Sequence, residues 1–435
     1  MRGGIPLHGV VNISTSKNAT LPLMAAALLI PGEVRLKNTP KIADIYSMVD
    51  VLKALGAETS FDNGDLHIRS EKLTEPRRIE YDVSRHLRTS VLAMGPLLAR
   101  FGKAVVSRPG GCSIGSRPID YHIRGLQALG ADIREEHGYI FATVKGKLAG
   151  ASIQMPYPSV GATENALMAS VLAHGVTEID NAAQDPEVVD LCRFLIAAGA
   201  DVEGVGTSRL RVTGVTSLKP MTYQAIPDRI EAGTYLCAGA ITRGEIFAAG
   251  AEAGHLRAFL DALSAAGCSI GVESGATPGI RLKAPQRPKP VDFKTLSYPG
   301  FPTDLQPPMM ALMAVADGKS AIVESVFERR FLVADELARM GAKIRVEKST
   351  AIIDGVRELT GAPVEATDIR AGGALVVAAL AASGQSEIRG LHHIERGYEN
   401  FSGKLKELGA LISVVTPGPR AEKSGAPSPA RPRNS

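Results

Sequence analysis

Cysteine is scarce in this sequence and scattered. Cys112, Cys192, Cys237 and Cys268 show no metal-ligand spacing, so a thiolate metal site is not indicated. Tryptophan is absent altogether. No apolar run reaches the length of a membrane span; the longest candidate, LPLMAAALLIPG, stops too early. The start, MRGGIPLHGVVNIS, lacks the apolar region of a signal peptide, and a reducing cytoplasm is the default compartment. Charge is nearly missing from the body of the chain as well. The formal net charge is +4, and +3 of it sits in residues 416–435, where Arg420, Lys423, Arg431 and Arg433 face only Glu422. A nearly neutral body gives nucleic-acid binding no support. That tail is rich in Pro, Ser and Gly and is expected to be disordered.

What remains is the composition of an ordinary soluble enzyme, 45% hydrophobic and 22% charged over 435 residues, long enough for two domains. Its strongest pattern is internal repetition. A helix-like stretch ending in a small-residue turn recurs as VLKALGAE, LQALGAD, LIAAGAD, LSAAGCS, LARMGAK and LKELGAL, with glycines at 56, 130, 199, 267, 341 and 409. A second series, an apolar helix followed by glycine and a strand, interleaves with it at Gly32, Gly102, Gly175, Gly244, Gly318 and Gly384. The chain therefore reads as six units of about 70 residues, each strand, apolar helix, strand, amphipathic helix, strand. Glycine after each helix suits a left-handed C-terminal position. The apolar helices carry almost no charge around their circumference, so they belong inside, with sheets wrapped around them. An α/β (or α+β) protein of two globular domains, three units each, follows.

Several apolar helices begin with cations. Lys17, Arg88 and Arg370 stand where a helix dipole is positive, which is unfavourable without another reason. A polyanionic ligand supplies one. Capping alone would account for Thr303 or Thr367. The stretch RPGGCSIGSRPID, residues 108–120, adds a lone cysteine between arginines in a glycine-rich loop, an environment that favours thiolate. An incidental surface thiol is the plainer alternative.

SKNA (16–19), LRTS (87–90), RPGGCSIGSRPID (108–120), SVGAT (159–163), PDRIEAGT (227–234), FPTD (301–304), FERRF (327–331), TDIRA (367–371) and RGYE (396–399) together resemble the enolpyruvyl transferases. The likeness runs in order to about Val415. It is greatest to the branch whose acceptor is UDP-N-acetylglucosamine. The resemblance implies two inside-out α/β barrels, each of three folding units. The first domain would span residues 15–227, and the second residues 1–14 plus 228–415, with the N-terminal strand joining the second domain. It also implies a reaction. Enolpyruvyl passes from phosphoenolpyruvate to the sugar 3'-hydroxyl with release of phosphate, by addition and elimination, at the first committed step of peptidoglycan synthesis. These two small molecules are the partners implied. No metal, organic cofactor, nucleic acid, membrane or obligate protein partner is implied.

Site residues carry over motif by motif. Cys112 corresponds to the proton donor, able also to bond the substrate covalently, and Asp304 to the base for the acceptor hydroxyl; an N-terminal helix cap is the alternative for Asp304. Lys17 and Arg396 join these as catalytic cations. Lys17, Asn18, Arg117, Arg330, Arg370 and Arg396 would bind phosphoenolpyruvate, although Arg370 could instead form a surface pair with Asp368. Asn18, Arg88, Arg117, Pro118, Ile119, Asp120, Tyr121, Ser159, Val160, Gly161, Asp304 and Val326 would contact the nucleotide sugar. Asp228, Arg229 and Glu231 read as fasteners of the domain boundary, and Cys192, Cys237 and Cys268 as core.

Four positions depart from the family pattern: Tyr157 and Pro158 where a lysine and an aliphatic residue are common, Arg329 where asparagine is common, and Thr15 before Ser16-Lys17 where glycine is usual. A relative acting on another uridine nucleotide, and a catalytically silent binding protein on the same fold, are the competing readings. If Cys112 is the activated thiol, the epoxide fosfomycin should alkylate it alone. Peptide mapping should place the adduct within residues 108–120; modification at Cys192 or Cys237 would contradict the assignment.

Overall fold

The computed structural model describes residues 1–73, 88–108, 114–115 and 119–415. The thirteen residues of RPGGCSIGSRPID are therefore represented by Arg108, Ile114, Gly115, Ile119 and Asp120; Cys112, Arg117, Pro118 and the tail lie outside the described residues. Two separate hydrophobic cores divide the chain. One is built from Ala19 to Ile226; the other gathers Leu7, Val11 and residues from Ile230 to Ala410.

Three inner helices fill each core: Lys17–Ala26, Met94–Phe101 and Val160–Ser170 in one, and Arg229–Ile241, Gln306–Met313 and Ile369–Ala381 in the other. They are buried on nearly every side because their sequences offer no polar face to water. Sheets lie outside them, one for each unit. The first, for example, has the order Met221–Gln224, Glu33–Lys37, Asp65–Arg69, Glu58–Asp62. The strand expected at the end of each unit is thus a hairpin in the first five, and its second arm takes an inner place in the sheet. In the sixth unit the isolated bridges of Arg2 to Gln385 and Leu411 stand where the hairpin would be.

Both domains are closed by strands borrowed along the chain. His8–Asn12 pairs in parallel with Glu245–Ala249, joining the first strand of the chain to the second core. Met221–Gln224 pairs in parallel with Glu33–Lys37, closing the first. The chain consequently crosses between the cores twice, and the crossings touch. Thr15 bridges Pro227, Ser16 N–H donates to Ile226 O (2.8 Å) and Asp228 N–H donates to Ser14 O (2.8 Å).

The glycine series behave as their position requires, with one exception. All six glycines of the LGA-type turns have positive φ, between 89° and 105°. In the other series Gly244 does not. Arg243 takes the left-handed place there (φ 58°), and a Cβ on Gly244 would lie 2.0 Å from Leu7 O, so this glycine admits the borrowed N-terminal strand.

Inner helices also approach backbone to backbone. Gly95 N–H donates to Asn165 Oδ1 (2.7 Å), Asn165 Nδ2 donates to Val91 O (3.1 Å), and a Cβ on Gly95 would lie 2.5 Å from Asn165 O. A methyl there forces two helices apart. Gly95→Ala should therefore cost about 2 kcal/mol in urea unfolding. Gly254→Ala, which meets open space, should stay within about 0.5 kcal/mol of the parent.

Candidate active site

Where the two chain crossings meet, the ends of three inner helices converge. Ser16 caps the Lys17–Ala26 helix, its hydroxyl accepting from Ala19 N–H (3.2 Å), which sets Lys17 as the first helical residue. Asp228 caps the Arg229–Ile241 helix through Oδ1, which accepts from Ile230 and Glu231 N–H, while its Oδ2 accepts from Lys17 N–H (3.1 Å). One carboxylate thus ties a helix of each core. The Lys17 side chain is buried, and its Nζ donates to Asp44 Oδ2 (3.1 Å). Asp44 Oδ1 accepts from Arg396 Nε (2.8 Å). Burial raises the Asp44 carboxyl, but the charges of Lys17 and Arg396 outweigh it and hold the group below its ordinary value. Burial lowers the Lys17 ammonium, with Arg370 and Arg396 adding to the effect and Asp44 and Asp304 opposing it.

A second aspartate gathers two more cations. Asp304 Oδ1 accepts from Arg330 Nη2 (2.6 Å), and Oδ2 lies 3.1 Å from Arg370 Nη2 and 3.2 Å from Arg370 Nε. Arg330 and Arg370 are buried. Burial works against the Arg370 charge, yet Asp304 outweighs it and the proton is held more firmly than usual. Asp304 caps no helix, and Arg370 does not pair at the surface with Asp368: Asp368 caps the Ile369–Ala381 helix, and the Arg370 guanidinium turns inward over the Tyr398 ring (5.5 Å). Neither threonine suggested as a cap serves as one; Thr303 donates to Glu324 instead (3.0 Å).

Around this centre charged side chains form a network, in which Arg229 and Glu399 join the two cores. Arg229 reaches from the second core to Glu187 (2.9 and 3.1 Å) and Asp185 (3.1 Å) in the first. Glu231 accepts from Ser14 N–H (2.7 Å) and Lys404 Nζ (2.7 Å). Glu399 accepts from Ser14 Oγ (2.8 Å) and Lys41 N–H (2.9 Å). These are buried or half-buried charges whose mutual pairing makes their desolvation tolerable.

Candidate nucleotide-sugar residues fall on two neighbouring helix starts. Ile119, Asp120 and Tyr121 open the Asp120–Ala128 helix, and Ser159, Val160 and Gly161 open the Val160–Ser170 helix. The two are in contact. A Cβ on Gly161 would stand 3.1 Å from the ring of His122, whose Nδ1 lies 3.1 Å from Asn165 Nδ2. Asp120 Oδ1 is buried without a hydrogen-bond partner among the described residues. His122 carries no signal in the sequence and enters only through this packing. Across the seam, Ser297 Oγ donates to Tyr157 Oη (2.9 Å). On the second core, Val326 N–H donates to Glu324 Oε1 (2.8 Å), and Arg329 N–H donates to Ile114 O (3.0 Å) in the glycine-rich stretch. Asn18 is half-buried beside Lys17; Arg88 begins a short 3-10 turn. A hollow of about 140 Å³ beside Tyr121 and Met155 is too small for a nucleotide sugar.

The family model for EPSP synthase (3-phosphoshikimate 1-carboxyvinyltransferase) matches residues 1–405. A UDP-N-acetylglucosamine 1-carboxyvinyltransferase 2 from Carboxydothermus hydrogenoformans is 49% identical over 94% of this chain and 97% of its own. A UDP-N-acetylglucosamine 1-carboxyvinyltransferase 1 from Caldanaerobacter subterraneus subsp. tengcongensis is 48% identical over 94% and 97%. The chain belongs to the enolpyruvyl transferase family. Among solved structures, the enolpyruvyl transferase NikO from Streptomyces tendae superposes with a TM-score of 0.84 at 27% identity, covering 94% of this chain and 96% of its own. EPSP synthase from Acinetobacter baumannii, at 20% identity and a TM-score of 0.74 over 94% and 97%, shares the fold.

In this enolpyruvyl transferase the other cysteines are inert. Cys192, Cys237 and Cys268 are buried, and burial pushes the thiols of Cys192 and Cys268 up to about 12 and that of Cys237 up as well. Among the described residues, no helix of the enolpyruvyl transferase is long and apolar enough to cross a membrane.

Further carboxyls gather beside the Arg229 pairs. Glu164 is buried, with Oε1 unpartnered among the described residues; burial first, then Glu187 and Asp185, push its carboxyl well above the ordinary value. Asp185 rises to about 6, mainly through burial. A carboxyl raised in the folded state contributes stability below its unfolded value, and that contribution is lost as pH rises through the folded value. Glu164→Gln removes the loss at its own site. The variant should gain thermal stability over the parent at pH 8 and gain little at pH 5, as read by melting curves at the two pH values.

Proposed function

We propose that this chain transfers the enolpyruvyl group of phosphoenolpyruvate to the 3'-hydroxyl of UDP-N-acetylglucosamine and releases phosphate, the committing step of peptidoglycan synthesis. The observation that carries the reading is the cation cluster of Lys17, Arg330, Arg370 and Arg396, gathered at one seam by two aspartates. Four converging cations suit a small trianion carrying phosphate and carboxylate. Relatives named for this activity, 46–49% identical over most of the chain, support the same reading.

The reaction needs a proton at the methylene carbon of phosphoenolpyruvate, which turns the neighbouring carbon cationic. The sugar hydroxyl adds there and gives up its proton. Phosphate then leaves as the new methyl group returns a proton, restoring the double bond. Cys112 supplies the first proton in this reading, and Asp304 takes the proton of the hydroxyl. Lys17, Arg117, Arg330, Arg370 and Arg396 hold the anion through both steps, with Asn18 beside them. Both Asp304 oxygens accept from arginines. Phosphoenolpyruvate arriving on those arginines frees an oxygen for the sugar hydroxyl. Arg88, Pro118, Ile119, Asp120, Tyr121, Ser159, Val160, Gly161 and Val326 form the nucleotide-sugar side. The two domains, 15–227 and 1–14 with 228–415, meet at Thr15 and Pro227, a division supported by the separate cores.

Phosphate release from phosphoenolpyruvate should depend on UDP-N-acetylglucosamine and not occur with UMP. Asp304→Asn should lower kcat by roughly 10²-fold or more in the folded enzyme, and should also lower the melting temperature, because the buried Arg330 and Arg370 lose their carboxylate. Turnover with neither acceptor would instead support a silent binding protein.

A further inference from the structure

Asp44 differs from Asp304 in what it joins. Asp304, Arg330 and Arg370 belong to the same core region of the chain, whereas Asp44 comes from the first and Arg396 from the second. Asp44 sits in the first turn of the Ala43–Leu55 helix, its side chain only 5% exposed, with one oxygen on Lys17 and the other on Arg396. The segment bearing Arg396 is pressed close: a Cβ on Gly397 would lie 2.9 Å from Ile369 Cγ2 and 3.7 Å from the Lys17 stem.

We propose that Asp44 is a positioning residue for phosphoenolpyruvate, assembling Lys17 and Arg396 across the domain seam into one cradle for the substrate's anionic groups. This rests on the reading of those two cations as substrate ligands. Simple docking of the two segments does not require the Asp44 side chain. Ala43 N–H already donates to Glu395 O (3.1 Å), and Lys41 N–H to Glu399 Oε1 (2.9 Å). What the Asp44 carboxylate adds is orientation and charge. It engages one donor of the Lys17 ammonium, which has three to offer. Arg370 and Arg396 face Lys17 and disfavour its charge; Asp44 and Asp304 favour it. Without the Asp44 charge the ammonium loses its proton at lower pH, and the grip on phosphoenolpyruvate goes with it.

The test compares the parent, Asp44→Asn and Asp44→Glu by phosphate release with UDP-N-acetylglucosamine, with KM and kcat measured from pH 6 to 9.5. Asp44→Asn should raise KM for phosphoenolpyruvate roughly tenfold at neutral pH, with smaller changes in kcat and in KM for the nucleotide sugar. Its KM should climb on the alkaline side at a lower pH than that of the parent. Asp44→Glu, which keeps the charge on a longer stem, should restore the alkaline limb. An Asp44→Asn enzyme that melts earlier yet keeps the parental KM and alkaline limb overturns the proposal. If Asp44→Asn does not fold, an alkaline limb in Asp44→Glu shifted below that of the parent overturns it. A parent with no phosphate release would sink the functional reading instead. Calorimetric titration of phosphoenolpyruvate into parent and Asp44→Asn, with UDP-N-acetylglucosamine present, then decides the role of Asp44 by itself: equal affinities reject it.

Discussion

The architecture depends on how four cations can be kept together in a protein interior. Lys17, Arg330, Arg370 and Arg396 repel one another, and three of them are buried. Two aspartates make the arrangement possible, Asp44 for Lys17 and Arg396 and Asp304 for Arg330 and Arg370. A charge taken out of water without a partner costs several kcal/mol, so each cation needs its carboxylate. The pairs are the scaffold of the candidate site.

That constraint explains why the site lies where the chain crosses between cores. Loop backbone at a crossing has hydrogen bonds to satisfy, and here the helix caps satisfy them. Asp228 serves the N–H groups of Ile230, Glu231 and Lys17 at once, so the capping of one domain fixes the first helical residue of the other. The borrowed strand His8–Asn12 brings the chain back to Ser14–Lys17 with its direction already set. Ser14 then joins Glu231, Glu399 and Lys404 in one network. The candidate site and the domain fastening share the same few residues.

Much of the architecture was legible along the chain. Glycine periodicity disclosed six units, because every amphipathic helix needs a left-handed residue to turn into its hairpin. The uncharged helices announced their own burial. Cations at helix starts marked the seam, since Lys17 and Arg370 oppose a dipole and would not stand there for structure alone. The hairpin that ends each of the first five units is not legible: two short strands joined by a tight turn look like one strand when only apolar runs are counted. Gly244 was misread for a related reason, as its role comes from Leu7, far away in sequence.

The sequence by itself determined the repeat, the fold class and the family likeness, because all of these are written in local periodicity and short motifs. Only the tertiary structure decided which carboxylate faces which cation. Asp44 sits 352 residues from Arg396 and shares no motif with it. His122 meets Gly161, and Tyr157 meets Ser297, only through packing between helices and across the seam. Electrostatic partnership depends on distance through space, and a linear sequence carries that distance only after the chain has folded.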